Sequence, residues 1–193
     1  DQDKADGMQV LKNLGNRVEI DGLPEPIVLD DEFLSEFLDI YYTAIVAASD
    51  LYKHIAAAKG AENIIPEISM DEVENPQSPK ELLLILALVA YFKVPIQTIA
   101  PKFSGRFNKG VDYVGDLAQF RSEFEADLLV IKHAIKEFNL PKNLKLSIHS
   151  GSDKFTIYPI MGELIKKHDM GIHIKTAGTT WLEEVIGLSM AGD

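Results

Sequence analysis

The chain has 193 residues, 46% hydrophobic and 25% charged, which is room for one domain with a sizeable core but not for two. Lys+Arg 19 against Asp+Glu 30 leaves a net charge of −11, which argues against nucleic acid as a partner because phosphate binding needs a basic face. The lack of cysteine excludes a disulfide scaffold, thiolate-ligated zinc or iron–sulfur clusters and thiol catalysis, and fits a reducing, cytoplasmic setting.

The acidity is concentrated early: residues 1–81 carry 18 acids and 6 bases, residues 82–193 carry 12 and 13. The chain opens on charged residues, with neither a Met nor a signal-peptide pattern. Asp30 can cap a long helix over about Asp31–Lys59, with Leu34, Leu38, Tyr41, Ile45 and Ala48 at helical spacing and Gly60 as its stop. A short apolar run, Asn63–Ser69, leads into a polar loop through Asn75-Pro76-Gln77. Ser78-Pro79-Lys80-Glu81 is a capping box with proline at the first helical position, and its helix runs to about Lys93. The apolar stretch Leu82–Phe92 spans about eleven residues, short of the roughly 20 that cross a bilayer, and reads as a helix buried on most sides.

Val94–Lys102 predicts a strand, followed by a loop with Gly105, Gly110, Gly115, Asp112 and Asp116. A second capping pattern at Ser122–Glu125 predicts the start of a helix striped by Phe124, Leu128, Ile131, Ile135 and Phe138 and ended by Pro141. Leu144–Ser150 predicts a strand, Thr156–His168 a helix, Gly171–Thr176 a strand, and Thr180-Trp181-Leu182-Glu183 a last helix start. A chain that stops at Gly192-Asp193, just after that start, predicts a piece of something larger.

Regular β/α alternation implies a parallel sheet with helical crossovers, so the fold class is α/β. Two architectures fit: a TIM-barrel-like (β/α)₈ fold, incomplete with about four β/α units, or an open doubly wound parallel sheet. No glycine-rich phosphate loop follows a strand, which weakens the nucleotide-binding version. Parity favours the barrel: in Leu144–His149 the even positions are aliphatic and the odd ones polar, and Gly171–Lys175 and the stretch around Glu67, Ser69 and Asp71 repeat the division. The expected organisation is a single domain over 1–193, the C-terminal half of a larger barrel. Residues 1–60 form its leading segment and long helix, and 61–193 its successive β/α units.

His149 and His173 fall on the polar face near the ends of neighbouring strands, at matching positions, and adjacent strands lie about 4.8 Å apart. Two imidazoles plus a carboxylate from Glu67 or Asp71 suit a divalent metal such as Mn, Zn, Ni or Fe; equally, each histidine can simply hydrogen-bond a neighbour. His149–Lys154 is a small polar loop whose Ser150 and Ser152 hydroxyls and Lys154 can meet an anion, or a plain turn. Thr176–Thr180 is a second loop entering a helix N-terminus. Lys102, Arg106, Lys154 and Lys175 all lie at strand ends or just beyond. They converge on a small anionic substrate or are separate solvated cations.

Leu146–Phe155, then Tyr158-Pro159, then His173–Thr179, form an ordered pair of motifs that resembles the tagaturonate/fructuronate epimerases from about Ile65 onward. The resemblance implies a metal-dependent, barrel-like enzyme of bacterial hexuronate catabolism, with an anionic sugar substrate. Its metal ligands would be His149 and His173, with Glu67 as general acid/base and Lys102 assisting proton transfer. Arg106, Ser150, Ser152, Lys154 and Lys175 would hold the uronate. The substrate pair differs at C4, which simple enolisation does not acidify, so a retro-aldol cleavage between C3 and C4 with re-addition fits better. A metal-dependent sugar-phosphate isomerase or aldolase and a sugar-acid-binding module or inactive fragment are the alternatives. A homo-oligomer and the lack of a membrane partner complete the expectations.

Overall fold

The computed structural model describes residues 2–176 and 180–192. Helix α1 (Gln2–Lys12) and a two-stranded antiparallel hairpin, β1 (Arg17–Val18) with β2 (Ile27–Val28), precede α2 (Asp31–Lys59). Four β/α units then follow: β3 (Glu67–Ser69) with α3 (Pro79–Tyr91), β4 (Thr98–Ala100) with α4 (Leu117–Glu137), β5 (Lys145–Ile148) with α5 (Tyr158–His168), and β6 (Ile172–Ile174) with α6 (Thr180–Ala191). Among the described residues no helix is long and apolar enough to cross a membrane.

The helix ends follow local chemistry. The Asp30 carboxylate accepts from Phe33 N at 2.8 Å, and Gly60 closes α2 with φ of 83°. Ser78 and Glu81 form the expected reciprocal box, and Tyr41 Oη donates to Glu81 Oε1 at 3.0 Å, tying α2 to the start of α3. Leu82 to Val89 of α3 are all buried, because the helix lies among α1, α2 and α4. Gly7 lets α1 close on α2: a Cβ there would stand 2.5 Å from the Tyr42 ring.

Two helix starts differ from expectation. Helix α4 begins at Leu117, not Ser122, because the Asp116 carboxylate accepts from Ala118 N at 2.7 Å and Gln119 N at 3.0 Å. Phe120 of the added turn packs on Phe103 and Tyr113, each at 5.4 Å between centroids, so tertiary packing extends the helix past the local capping pattern. Before α5, Phe155–Ile157 form a 3₁₀ turn, and Pro159 sits in the first turn of the α-helix itself.

The strands are shorter than the apolar runs that contain them. Pro95 and Pro101 flank β4 and offer no N–H to a ladder, and Ser150, with φ of 50°, turns the chain just after β5. All four pair in parallel in the order β3-β4-β5-β6, which advances in one direction with no reversal. A doubly wound sheet reverses its order at a switch point, and none falls within these four strands. Register aligns Ile68, Ile99, Leu146 and Ile172 in one row; Ile99 and Leu146 are fully buried in the core. The parity expected from sequence is therefore the parity of the sheet.

Asp127, on α4, is buried, and burial followed by the nearby charge of Glu123 pushes its carboxyl well above the usual carboxylate range. Between 3.8 and its raised folded value such an acid is protonated in the folded chain and ionised in the unfolded one, so its destabilising effect grows as pH rises through 3.8. Asp127→Asn is expected to raise Tm at pH 7.5 by at least ~2–4 °C, the response to roughly 1 kcal/mol in a domain of this size. Thermal melts should show the gain vanishing near pH ~4; an equal gain at both pH values would rule out titration as its origin.

Candidate active site

Register sets the polar face in rows. Glu67, Thr98 and Lys145 lie side by side, Ser69, Ala100, Ser147 and His173 form the next row, and Asp71, Lys102, His149 and Lys175 follow just past the strand ends. His149 and His173 thus sit one row apart. Ser147, not His149, pairs with His173, which corrects the expectation of matching positions.

Glu67 joins the rows. Its Oε2 accepts from Thr98 Oγ1 at 2.7 Å and lies 3.4 Å from His173 Nδ1, while its Oε1 lies 2.9 Å from His149 Nε2. The other nitrogen of His149 lies 2.8 Å from Asp71 Oδ2, and Asp71 also accepts from Ser69 Oγ. His149 is therefore held between two carboxylates. With one ring proton it donates to one of them, and with two it donates to both. Ser147 Oγ, fully buried, bonds His173 Nδ1 at 2.9 Å and also bonds Glu67.

Burial pushes the Glu67 carboxyl up. Hydrogen bonds from Thr98, His149 and Ser147, with the charge of His149, outweigh it and hold the group below the usual glutamate range. The result is a half-buried carboxylate kept ionised and oriented on both oxygens. Asp71 was expected only as one of two alternative metal oxygens; the structure makes it the second anchor of His149. Its signal was its place in the Glu67-Ser69-Asp71 alternation, two residues past the strand.

Two imidazoles and two carboxylates are donors of the kind that hold a divalent transition-metal ion. As arranged they close on one another, and among the described residues no three such side chains form a group set to hold a metal. Binding a cation at His149 means replacing one of its hydrogen bonds to Glu67 and Asp71.

The other expected site residues are placed as follows. The Lys102 ammonium donates to Val73 O and, at 3.2 Å, to Glu74 O, so it holds the β3–α3 loop instead of reaching Glu67. Lys154 is fully buried, its ammonium on Asn108 O at 2.9 Å, Val111 O at 2.8 Å and the Asp153 carboxylate. Ser150 lines a cleft of about 450 Å³ together with Asp71, Lys102, Phe107, Asn108 and His149. Ser152 O accepts from Tyr158 Oη at 2.8 Å. Arg106 is exposed, its backbone paired with Val114, and Lys175 is exposed beside the His149 row. Glu67, His149, His173 and Asp71 are brought together; Arg106, Lys102 and Lys154 are not part of that cluster. Residues 177–179 of the Thr176–Thr180 loop lie outside the described residues.

A parallel sheet whose polar face carries a carboxylate held by hydroxyls and an imidazole is the candidate site of this α/β protein. The chain belongs to the tagaturonate epimerase family, whose model matches residues 5–191. It is 34% identical over 169 residues to the tagaturonate/fructuronate epimerase of Thermotoga maritima, covering 87% of this chain and 32% of that protein. Two glycerol-complexed crystal structures of the fructuronate-tagaturonate epimerase of Cohnella laeviribosi are also similar. The one with one glycerol has a TM-score of 0.71 and 30% identity, covering 94% of this chain and 36% of that one. The one with two glycerols has a TM-score of 0.72 and 29% identity, covering 93% and 36%. The chain spans about a third of the length of these relatives.

Ionised Glu67 contributes stability that is present above the ordinary value of 4.5 and lost as pH falls through the lower folded value. Glu67→Gln is expected to be less stable than the parent at pH 7 in chelator-treated buffer. Denaturant titrations should show that difference shrinking below pH ~4. A difference constant from pH 7 to 3 would mean that the carboxylate charge contributes nothing.

Proposed function

We propose that this chain carries the acid–base centre of a metal-dependent epimerase that interconverts tagaturonate and fructuronate. The observation that carries the reading is Glu67, a carboxylate kept ionised by Thr98, Ser147 and His149 on the polar face of the sheet. Family membership supplies the substrate class, through relatives named for that pair of sugar acids. The one-way strand order supports reading the sheet as an arc of a (β/α)₈ barrel, a fold of about 250 residues when closed.

A divalent cation of the Mn²⁺, Zn²⁺, Ni²⁺ or Fe²⁺ type would be held by His149 and His173, and when bound it supplies Lewis acidity toward a substrate oxygen. Glu67 takes the proton of the C4 hydroxyl as the C3–C4 bond breaks, the bonding electrons passing into the C2 carbonyl. The aldehyde fragment then presents its other face, the bond re-forms, and Glu67 returns the proton to the inverted hydroxyl. Thr98 and Ser147 orient the carboxylate through both steps. Lys175, level with His149, and Arg106 on the neighbouring loop are the cations for the uronate carboxylate, and an arginine offers it a two-pronged contact. The hydroxyls of Ser150 and Ser152 serve the sugar. Lys102 acts on this site through the loop it holds.

NMR of tagaturonate incubated with the protein and added Mn²⁺ or Zn²⁺ is expected to show fructuronate, with no turnover of sugar phosphates. Glu67→Gln should lower kcat by about 10²–10⁴, the usual share of a general acid/base. Three-carbon fragments trapped during turnover would support cleavage. Full activity in metal-stripped His149→Ala protein would overturn the metal assignment, and full activity of Glu67→Gln would overturn the reading itself.

A further inference from the structure

We propose that Lys154 is a positioning residue: it clamps the β4–α4 loop and so fixes the wall of the cleft facing His149. The identity of the ligand rests on the epimerase reading; the clamp itself does not.

An ammonium removed from water is stable only when its donors are satisfied. Lys154 is fully buried, and its three donors meet three acceptors, Asn108 O, Val111 O and the Asp153 carboxylate. The neighbouring residues interlock the same two loops in return. Asp153 Oδ2 accepts from Gly110 N at 2.6 Å, and Asp112 Oδ1 accepts from Thr156 Oγ1 at 2.9 Å and Thr156 N at 3.2 Å. The tip of the loop, residues 108–112, is thus held from both charge directions by residues 153–156. Below the tip, Arg106 and Val114 pair through their backbones, and Phe107 packs edge-on against Tyr113 at 5.3 Å. Gly105, with φ of 86°, lies where a Cβ would stand 2.6 Å from the Tyr113 ring, so the loop folds tightly on itself.

That loop forms one side of the cleft. Gly105, Phe107 and Asn108 line it together with Ile148, His149 and Ser150, around about 450 Å³. Asn108 is both a wall residue and an acceptor for Lys154. Lys154 does not itself line the cleft. Its effect on a ligand passes through the position of the wall, so it acts on binding and leaves the reacting groups in place.

Lys109, exposed at the loop tip, provides a readout without any ligand. In Lys154→Met, tryptic cleavage after Lys109 is expected to accelerate ~10-fold or more, because a released loop opens locally. With tagaturonate as substrate, KM should rise by about 10-fold while kcat stays within ~2-fold. Asp112→Ala, which removes the opposite side of the interlock and buries no charge, should shift both readouts the same way by less. It decides the test if Lys154→Met fails to fold by circular dichroism. Unchanged cleavage in both variants overturns the clamp. Faster cleavage with KM unmoved, or with kcat falling alone, overturns the positioning role. Faster cleavage in a protein whose parent does not turn over tagaturonate supports the clamp and overturns the epimerase reading.

Discussion

The constraint on which the molecule depends is the in-register parallel pairing of four very short strands. Each strand contributes only three or four residues, so parity is fixed by a handful of ladder bonds. A slip of one residue in any of them would turn aliphatic side chains toward the polar face and bury the polar ones against helices. The helices hold that register from behind: α3 is buried over nearly its whole apolar length, and α4 packs along it. The cluster of Glu67, Asp71, His149 and His173 is a by-product of that arrangement, since the polar rows have no other direction in which to point.

Within the cluster, three kinds of contact compete over Glu67. Burial opposes its charge, whereas two hydroxyls and an imidazole favour it, and the favourable side prevails. A carboxylate poised this way is a stronger candidate for proton transfer than a solvated one, because its orientation is fixed before any ligand arrives. His149 depends on a second carboxylate for its own orientation. Glu67, its partner His149 and the partner's anchor Asp71 come from β3, the residue after β5 and the turn after β3. His149 is 82 residues from Glu67 and 78 from Asp71, and only the sheet brings it to them.

Much of this is written in local sequence. The caps at Asp30, Gly60 and Ser78–Glu81 act over three or four residues, and the alternation in Leu144–His149 and Gly171–Lys175 declares which face each residue takes. What is not local is not legible. The one-row offset between His149 and His173 depends on register between strands, which parity alone leaves undetermined. The start of α4 depends on Phe120 joining an aromatic cluster, a tertiary gain that overrides the nearer Ser122–Glu125 signal. Helix α1 carries little apolar periodicity and is explained by its fit against α2 and α3. Four cations near strand ends suggest a common anion, but a lysine goes where unsatisfied oxygens are. For Lys102 and Lys154 those oxygens belong to neighbouring loops.

Those two lysines follow one pattern. Lys102, just after β4, takes carbonyls of the β3–α3 loop 28 and 29 residues earlier, and Lys154, just after β5, takes carbonyls of the β4–α4 loop 43 and 46 residues earlier. These two loops are therefore each completed in part by the unit that follows. The contacts are reciprocal, since Gln77 meets the backbone of Lys102 and Asp112 accepts from Thr156, so a sequence change in one of these loops is felt by its neighbour on either side. At this part of the rim consecutive units are fastened edge to edge, and the order of fastening is the order of the sequence.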